Sequence, residues 1–411
     1  MKEVAVEEDA IAIEALEEMW EEDAKDSASS IVEGGPADDE AGGDGGDGEG
    51  DPDDDTFSSY GRVFVPIDVD TNAASVRGPF GGAGLEDGGV AVAAPEEVIN
   101  TVGTDNAATL TLCGYKGGSI EEQTNQDTSV LVSPFAIGGK SSKSNLFMGV
   151  FDGHNVEGEI ISNFAARELP RLISEKLSGM GDDFTNEAVQ TVLAETFVEV
   201  HNSAESDLGL TVGGTTASVV LQLGDKVYVA NTGDSKSIIG TFDEETGDID
   251  FLYETEDHNP NLPIERERVE TAGGVVQDIE GTSRVLYYDA EGTPRGGLAI
   301  SRALGDYELN DIGVIPDPDV GVIDLAAILE GEKSKSVFAV SATDGLLDYV
   351  DRSEIIMKVV EGLFVEKDTA PELSAALKNL IAEAKEGWAG EYDGAYRDDI
   401  SVSAAKLIVC R

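Results

Sequence analysis

Positive charge is what this chain lacks. Its 411 residues hold 27 Lys and Arg against 83 Asp and Glu, a net charge of −56. The first 100 residues carry 28 acidic and 4 basic residues, which leaves −32 for the other 311. So acidic a surface repels nucleic acid and anionic membranes, and it suits basic partners or cations. Histidine is scarce at three residues and cysteine at two. Cys113 and Cys410 cannot build a disulfide framework; both fall in strand-like runs and read as buried free thiols. No Cys/His cluster exists that would hold zinc. No apolar run is long enough to span a membrane, and the opening MKEVAVEEDA lacks the apolar segment of a secretory signal. The expectation is a monomeric cytosolic or nuclear protein with no nucleic-acid and no membrane partner.

What is present falls into two parts. Residues 1–104 read as an acidic, Gly/Asp-rich, largely disordered extension, and 105–411 as the catalytic domain. Residues 1–28 carry a ragged apolar face (Val4, Ile11, Ile13, Leu16, Trp20) that suits a half-formed acidic helix. The tract "EGGPADDEAGGDGGDGEGDPDDD" cannot bury enough surface to fold. Its spacing does not match the calcium loop of an EF-hand, which needs a closing Glu. Residues 56–104 are weakly patterned. From Ala107 onward strands come in runs: "ATLTLCGY", "TSVLVSPFA", "NLFMGVFD", "TASVVLQL", "KVYVANT", "SKSIIGTF", "IDFLYE", "SVFAVSAT" and "ISVSAAKLIV". Helical spacing recurs from Ile161 to Leu177, from Val189 to Val200, near 262–272, and over about 353–364 and 370–386. Runs of strands with helices in pairs predict an α+β fold, mostly antiparallel sheet with helices outside.

Several aspartates share one context, the end of a strand. Asp127 opens one, Asp152 closes one, and Asp234 sits between two. Asp344 ends "FAVSATDG" with Asp348 one helical turn on, and Asp398 and Asp399 precede the last strand. One such Asp is usually a turn former or a helix cap; the repetition points elsewhere. Hard divalent cations take oxygen ligands, so carboxylates gathered on one sheet edge would suit Mg²⁺ or Mn²⁺. Gly153 would let its carbonyl approach such a cation. Two cations can acidify a water between them and aim it at phosphorus. His154, two residues from Asp152, is placed to protonate a leaving group. His201, on a helix, reads as structural, and His258 fits either role.

The ordered set "FMGVFDGH", "GGTTASVVL", "VYVANTGDSKS", "EDHNPNLPIERERVETAGGVV", "GGLAISRALGD", "VFAVSATDGLLDYV" and "RDDISV" resembles the metal-dependent protein serine/threonine phosphatases of the 2C type. The resemblance spans roughly 107–411. It implies a β-sandwich of two mostly antiparallel sheets flanked by helix pairs, four layers in all. It implies hydrolysis of phosphoserine and phosphothreonine in phosphoprotein substrates, with two Mg²⁺ or Mn²⁺ ions, and a weaker third in some members. Carried over by motif, Asp152 would bridge both cations and Gly153 would lend its carbonyl to one. Asp344 and Asp398 would complete the second cation's ligands, with Asp127 in support. Asp234 and Asp348 match the positions that serve a third cation. A water between the cations would attack, with His154 as general acid. Gly214, Thr215 and Thr216 match a structural motif, while Arg302 and Asp306 match one that shapes the sheet and an adjoining flap.

Two departures stand out. Where many members carry an arginine for the substrate phosphate, this chain has Glu122, flanked by Glu121 and Gln123, and the nearest cation upstream is Lys116. Three readings follow: the cations hold the phosphate unaided, Lys116 reaches in, or activity is weak. The last grades into an alternative function, a pseudophosphatase that binds partners without turnover. The second departure is Asn155, where glycine usually follows Asp-Gly-His. Asn tolerates positive φ, so it is the mildest replacement if the chain turns there.

Overall fold

The computed structural model describes residues 61–64, 100–104, 106–118, 123–181, 184–210, 212–279, 281–288, 294–365 and 372–409. The acidic helix and Gly/Asp tract inferred for residues 1–55, Glu121, Glu122 and Cys410 all lie outside them.

Two antiparallel sheets stack face to face. The first runs, in spatial order, Gly61–Phe64, Thr128–Ile137, Leu146–Phe151, Ala217–Leu223, Lys226–Thr232 and Asp319–Asp324, with Lys140–Ser141 off its side. The second runs Ile249–Glu254, Lys236–Asp243, Lys335–Ala342, Ile400–Leu407, Ala107–Leu112 and Asn100–Thr104. Helices Gly158–Met180 and Asn186–Leu208 cover the outer face of the first, and Arg352–Phe364 and Leu373–Tyr392 that of the second. The expected α-β-β-α sandwich is what forms.

The apolar strands read as continuous runs because both of their faces are buried. Val130 and Val132 pack toward the helices, while Leu131 between them joins Met148, Val220, Ile239 and Ala339 in the layer between sheets. Two strands begin before the boundary at 104: Gly61–Phe64 pairs with Thr128–Ile137, and Asn100–Thr104 with Ala107–Leu112. Cys113 is half-buried rather than buried, because it lies one residue past the end of its strand. No helix among the described residues is long and apolar enough to cross a membrane.

Register brings the strand ends of interest to one edge. Thr128 pairs with Phe151, Val150 with Ser218, Thr232 with Ala217, Lys236 with Ala342, and Ala342 with Val402. Residues just beyond these pairs therefore meet at the same end of the sandwich. A hairpin of Val275–Ile279, Thr282–Tyr288 and Pro294–Leu298 forms a separate small sheet beside that end.

Candidate active site

A cleft of about 320 Å³ opens at this edge, lined by Asp152, Gly153, His154, Asp234, Asp344 and Asp398 among others. Below it, the two sheets are joined by hydroxyls rather than methyls. Ser237 bonds across the sheets to Ser218 at 2.8 Å and along its own sheet to Ser341 at 2.7 Å, and Thr111 ties the Asn125 loop to Ser401 of its own sheet at 2.9 and 2.8 Å. Small polar residues let the layers close while leaving hydrogen-bonding capacity under the carboxylates.

Each strand-end residue is fixed by its neighbours. Asp152 donates its N–H to Thr216 Oγ1 at 3.0 Å, and its carbonyl accepts from the Thr216 N–H at 2.9 Å. The Gly-Thr-Thr motif is thus a clamp on Asp152. Gly153 must be glycine: a Cβ there would lie 2.4 Å from the Gln126 carbonyl and 2.5 Å from that of Gly158. Asp127 is 3% exposed; its Oδ2 accepts from the Thr343 hydroxyl at 2.8 Å. Asp399, which shares the strand-end context of Asp398, accepts from the backbone N–H groups of Gly114 and Gln126. It ties the loop before Asp127 to the loop carrying Asp398. Asp348 caps the short helix Asp344–Leu347 through its N–H to the Asp344 carbonyl at 2.8 Å.

Electrostatically these carboxylates are held against their preference. Burial, then the charges of Asp127, Asp344 and Asp398, pushes the Asp152 carboxyl well above its ordinary range. Burial and Asp399 do the same to Asp127. Burial and Asp398 raise Asp344 to about 6, and burial and Asp344 raise Asp234 to about 7. Asp348 is raised by burial and by Asp234. Asp127 Oδ1 and Asp344 Oδ1 are buried without a hydrogen-bond partner. Among the described residues no three Asp, Glu, His or Cys groups yet enclose a common point as ligands. The donor chemistry nevertheless fits a hard divalent cation, since it offers several oxygens, two of them unpartnered, whose mutual repulsion a cation would relieve.

The three histidines separate cleanly. His154 Nε2 lies 2.7 Å from Asp306 Oδ2. Burial would lower its pKa, but Asp306, with help from Asp234, holds it above the ordinary value. His201 is structural: its Nδ1 accepts from the Gly305 N–H at 3.0 Å, and burial takes it down to about 4. His258 is structural too. It is 2% exposed and its Nδ1 accepts from the Gly233 N–H at 3.1 Å, propping the loop that carries Asp234. Arg302 stands away from the cleft, pairing with Glu265 at 2.7 Å and Asp319 at 3.0 Å beneath the hairpin. Asn155 adopts φ 62°, the left-handed turn expected of it, and its Nδ2 reaches Asp306 Oδ1 at 3.4 Å. Asp306, which the sequence places in a motif shaping the sheet and flap, meets both His154 and Asn155 here.

A cleft floored by buried carboxylates, with the His154 imidazole held against Asp306 on its rim, marks the molecule as a four-layer α+β hydrolase. The family model for protein phosphatase 2C matches residues 114–387. The probable protein phosphatase 2C 48 of Oryza sativa subsp. japonica is 30% identical over 348 residues, covering 78% of this chain and 91% of its own. The probable protein phosphatase 2C 72 of Arabidopsis thaliana is 29% identical over 302 residues, 71% of this chain and 83% of its own. The crystal structure of serine-threonine phosphatase 2C from Toxoplasma gondii shares the fold, with a TM-score of 0.58 at 18% identity over 77% of this chain and 100% of that one. The chain belongs to the protein phosphatase 2C family of metal-dependent serine/threonine phosphatases. The alternative of a fold without turnover finds no support among these relatives.

Proposed function

We propose that the enzyme hydrolyses phosphoserine and phosphothreonine in proteins at the cleft bearing His154, and that Asp152, the Gly153 carbonyl, Asp344 and Asp398 hold two Mg²⁺ or Mn²⁺ ions there. Asp127 supports this set from below, and Asp234 and Asp348 suit a weaker third ion. When bound, the ions supply charge neutralisation at the phosphate and acidification of water. The protein's part is orientation and proton transfer. Asp306 accepts from the Nε2–H of His154 and raises the ring's pKa, which favours the doubly protonated ring and leaves the proton on its other nitrogen as the one to give. Water adds to phosphorus, the P–O ester bond breaks, and the seryl or threonyl oxygen leaves with the proton from His154. Thr216 and Gln126 hold the Asp152–Gly153 backbone in place while this happens.

The observation that carries the reading is the meeting of Asp152, Asp234, Asp344 and Asp398 with His154 around one cleft. The test is phosphate release from a phosphothreonine peptide, with Mn²⁺ and with EDTA, for wild type and Asp152→Asn. Turnover should need Mn²⁺ and disappear in the variant. A folded wild type inactive with Mn²⁺ and with Mg²⁺ on several phosphopeptides would sink the reading.

A further inference from the structure

Gln123 stands beside the position where the family's arginine would be, and it does something different. It folds back on the loop of residues 113–118. Its Oε1 accepts from the Lys116 N–H at 2.8 Å, and its Nε2 donates to the Gly117 carbonyl at 2.6 Å. On the other side, Tyr115 exchanges two 2.7 Å backbone hydrogen bonds with Arg397. Lys116 is thereby clamped between them, and its side chain turns into the cleft. The Nζ lies 3.3 Å from Gln126 Oε1, 3.5 Å from Asp398 Oδ1 and 3.7 Å from Asp399 Oδ2. Those carboxylate contacts are loose for charge-assisted bonds, and 41% of the side chain is exposed.

We propose that Lys116 is the cation that grips the substrate phosphate, in place of the arginine the chain lacks. The inference rests on the phosphatase reading above. A dianionic phosphate entering a cleft floored by carboxylates needs a fixed positive charge. Asp398 is among the proposed cation ligands, and a carboxylate so engaged is a poor counter-ion for the lysine. The ammonium would then sit at the mouth of the site with its donors turned toward the phosphate. Arg284 also lines the cleft, but its Nη1 donates to the Gly297 carbonyl at 2.9 Å and so braces the hairpin. A lysine is a mobile point charge rather than a rigid fork, so it would fix the phosphate's position more than its orientation.

The experiment compares Lys116→Met, Lys116→Gln, Lys116→Arg and Arg284→Met in the full chain. Two quantities are read in Mn²⁺: kcat and KM on a phosphothreonine peptide, and calorimetric affinity for inorganic phosphate, which needs no turnover. Lys116→Met should raise both KM and the phosphate Kd roughly tenfold, the loss of one charge-assisted hydrogen bond, with kcat changed by less than about threefold. Lys116→Arg should restore both. Should the Met variant fail to fold, Lys116→Gln must show the same loss. Unchanged phosphate affinity in a folded Met or Gln variant overturns the proposal, as does a loss confined to Arg284→Met. A wild type that binds no phosphate overturns it as well. A wild type that binds phosphate through Lys116 yet turns nothing over sinks the phosphatase reading instead and leaves the grip standing.

Discussion

His154 Nε2 and Asp306 Oδ2 meet at 2.7 Å across 152 residues of chain. Asp306 reaches this point from a left-handed turn at φ 48°, with its N–H on the Gly213 carbonyl at 2.8 Å. The fit is close: a Cβ on Gly214 would lie 2.3 Å from the same Oδ2. The pair raises the pKa of a half-buried imidazole against the lowering effect of its burial.

Asp306→Asn should therefore lose proton-donating power. The folded His154 pKa is raised, so its charge is present below the unfolded value near 6.5 and is lost as pH rises through the folded value. Activity should fall on the alkaline side of the wild-type profile, and in Asp306→Asn that limb should move to lower pH. General acid catalysis contributes about 10²–10⁴-fold, and a donor that is partly deprotonated should forfeit roughly tenfold or more of it at pH 8. The pH dependence of kcat for both proteins is the check, and superimposable alkaline limbs would contradict the role given to Asp306.

Gly153→Ala should damage fold and site together. The added Cβ meets two backbone carbonyls at 2.4 and 2.5 Å, and backbone cannot swing aside as a side-chain tip can. The overpacking should cost about 1–3 kcal/mol in urea unfolding. It should also displace Asp152, which shares its clamp, and so lower turnover more than stability alone explains. A variant with wild-type stability and activity would show that the close approach is not enforced.

Much of this was legible in the sequence, for reasons the structure makes plain. A strand end is marked by composition, since an apolar run must stop where its edge meets water. Asp127, Asp152, Asp344 and Asp398 announce themselves in that way. Asp306 does not, because its role depends on a turn that returns the chain to His154 from 152 residues away. Sequence alone leaves Lys116 as one reading of three, because the fold-back of Gln123 that aims it is a side-chain contact with no periodic signature. Gly61–Phe64 and Asn100–Thr104 were hidden as well: they are short, and they sit among Gly- and Ala-rich residues with no alternation.

Asn155 offers a test of backbone conformation alone. At φ 62° it pays little where a β-branched residue would pay roughly 1–2 kcal/mol. Asn155→Gly should be close to neutral in stability, and Asn155→Val should be destabilised by about that amount. Asn155 also touches Asp306, so Asn155→Gly should shift the alkaline limb of activity slightly while leaving urea unfolding alone. Equal stability of the Val and Gly variants would show that the turn relaxes at no cost.

The strongest stability effect should come from the carboxylate cluster itself. A buried carboxyl whose folded pKa is raised opposes folding while ionised. That penalty disappears as pH falls through the folded value toward the unfolded one near 3.9. With Asp234 at about 7 and Asp344 at about 6, and Asp127 and Asp152 also raised, the metal-free protein should gain stability as pH falls from 8 to 5. In EDTA, Tm should climb over that interval. Saturating Mn²⁺ should raise Tm at pH 8 and flatten the climb, because a cation takes over the neutralising work of the protons. Overall charge repulsion also eases on acidification, so a variant is needed to separate the two effects. Asp344→Asn removes one buried ionising group while leaving the surface charge elsewhere intact. It should raise the metal-free Tm at pH 8, reduce the slope between pH 8 and 5, and weaken the Mn²⁺-induced rise. A slope identical to wild type would assign the pH dependence to the acidic surface and leave the buried cluster without the strain inferred for it.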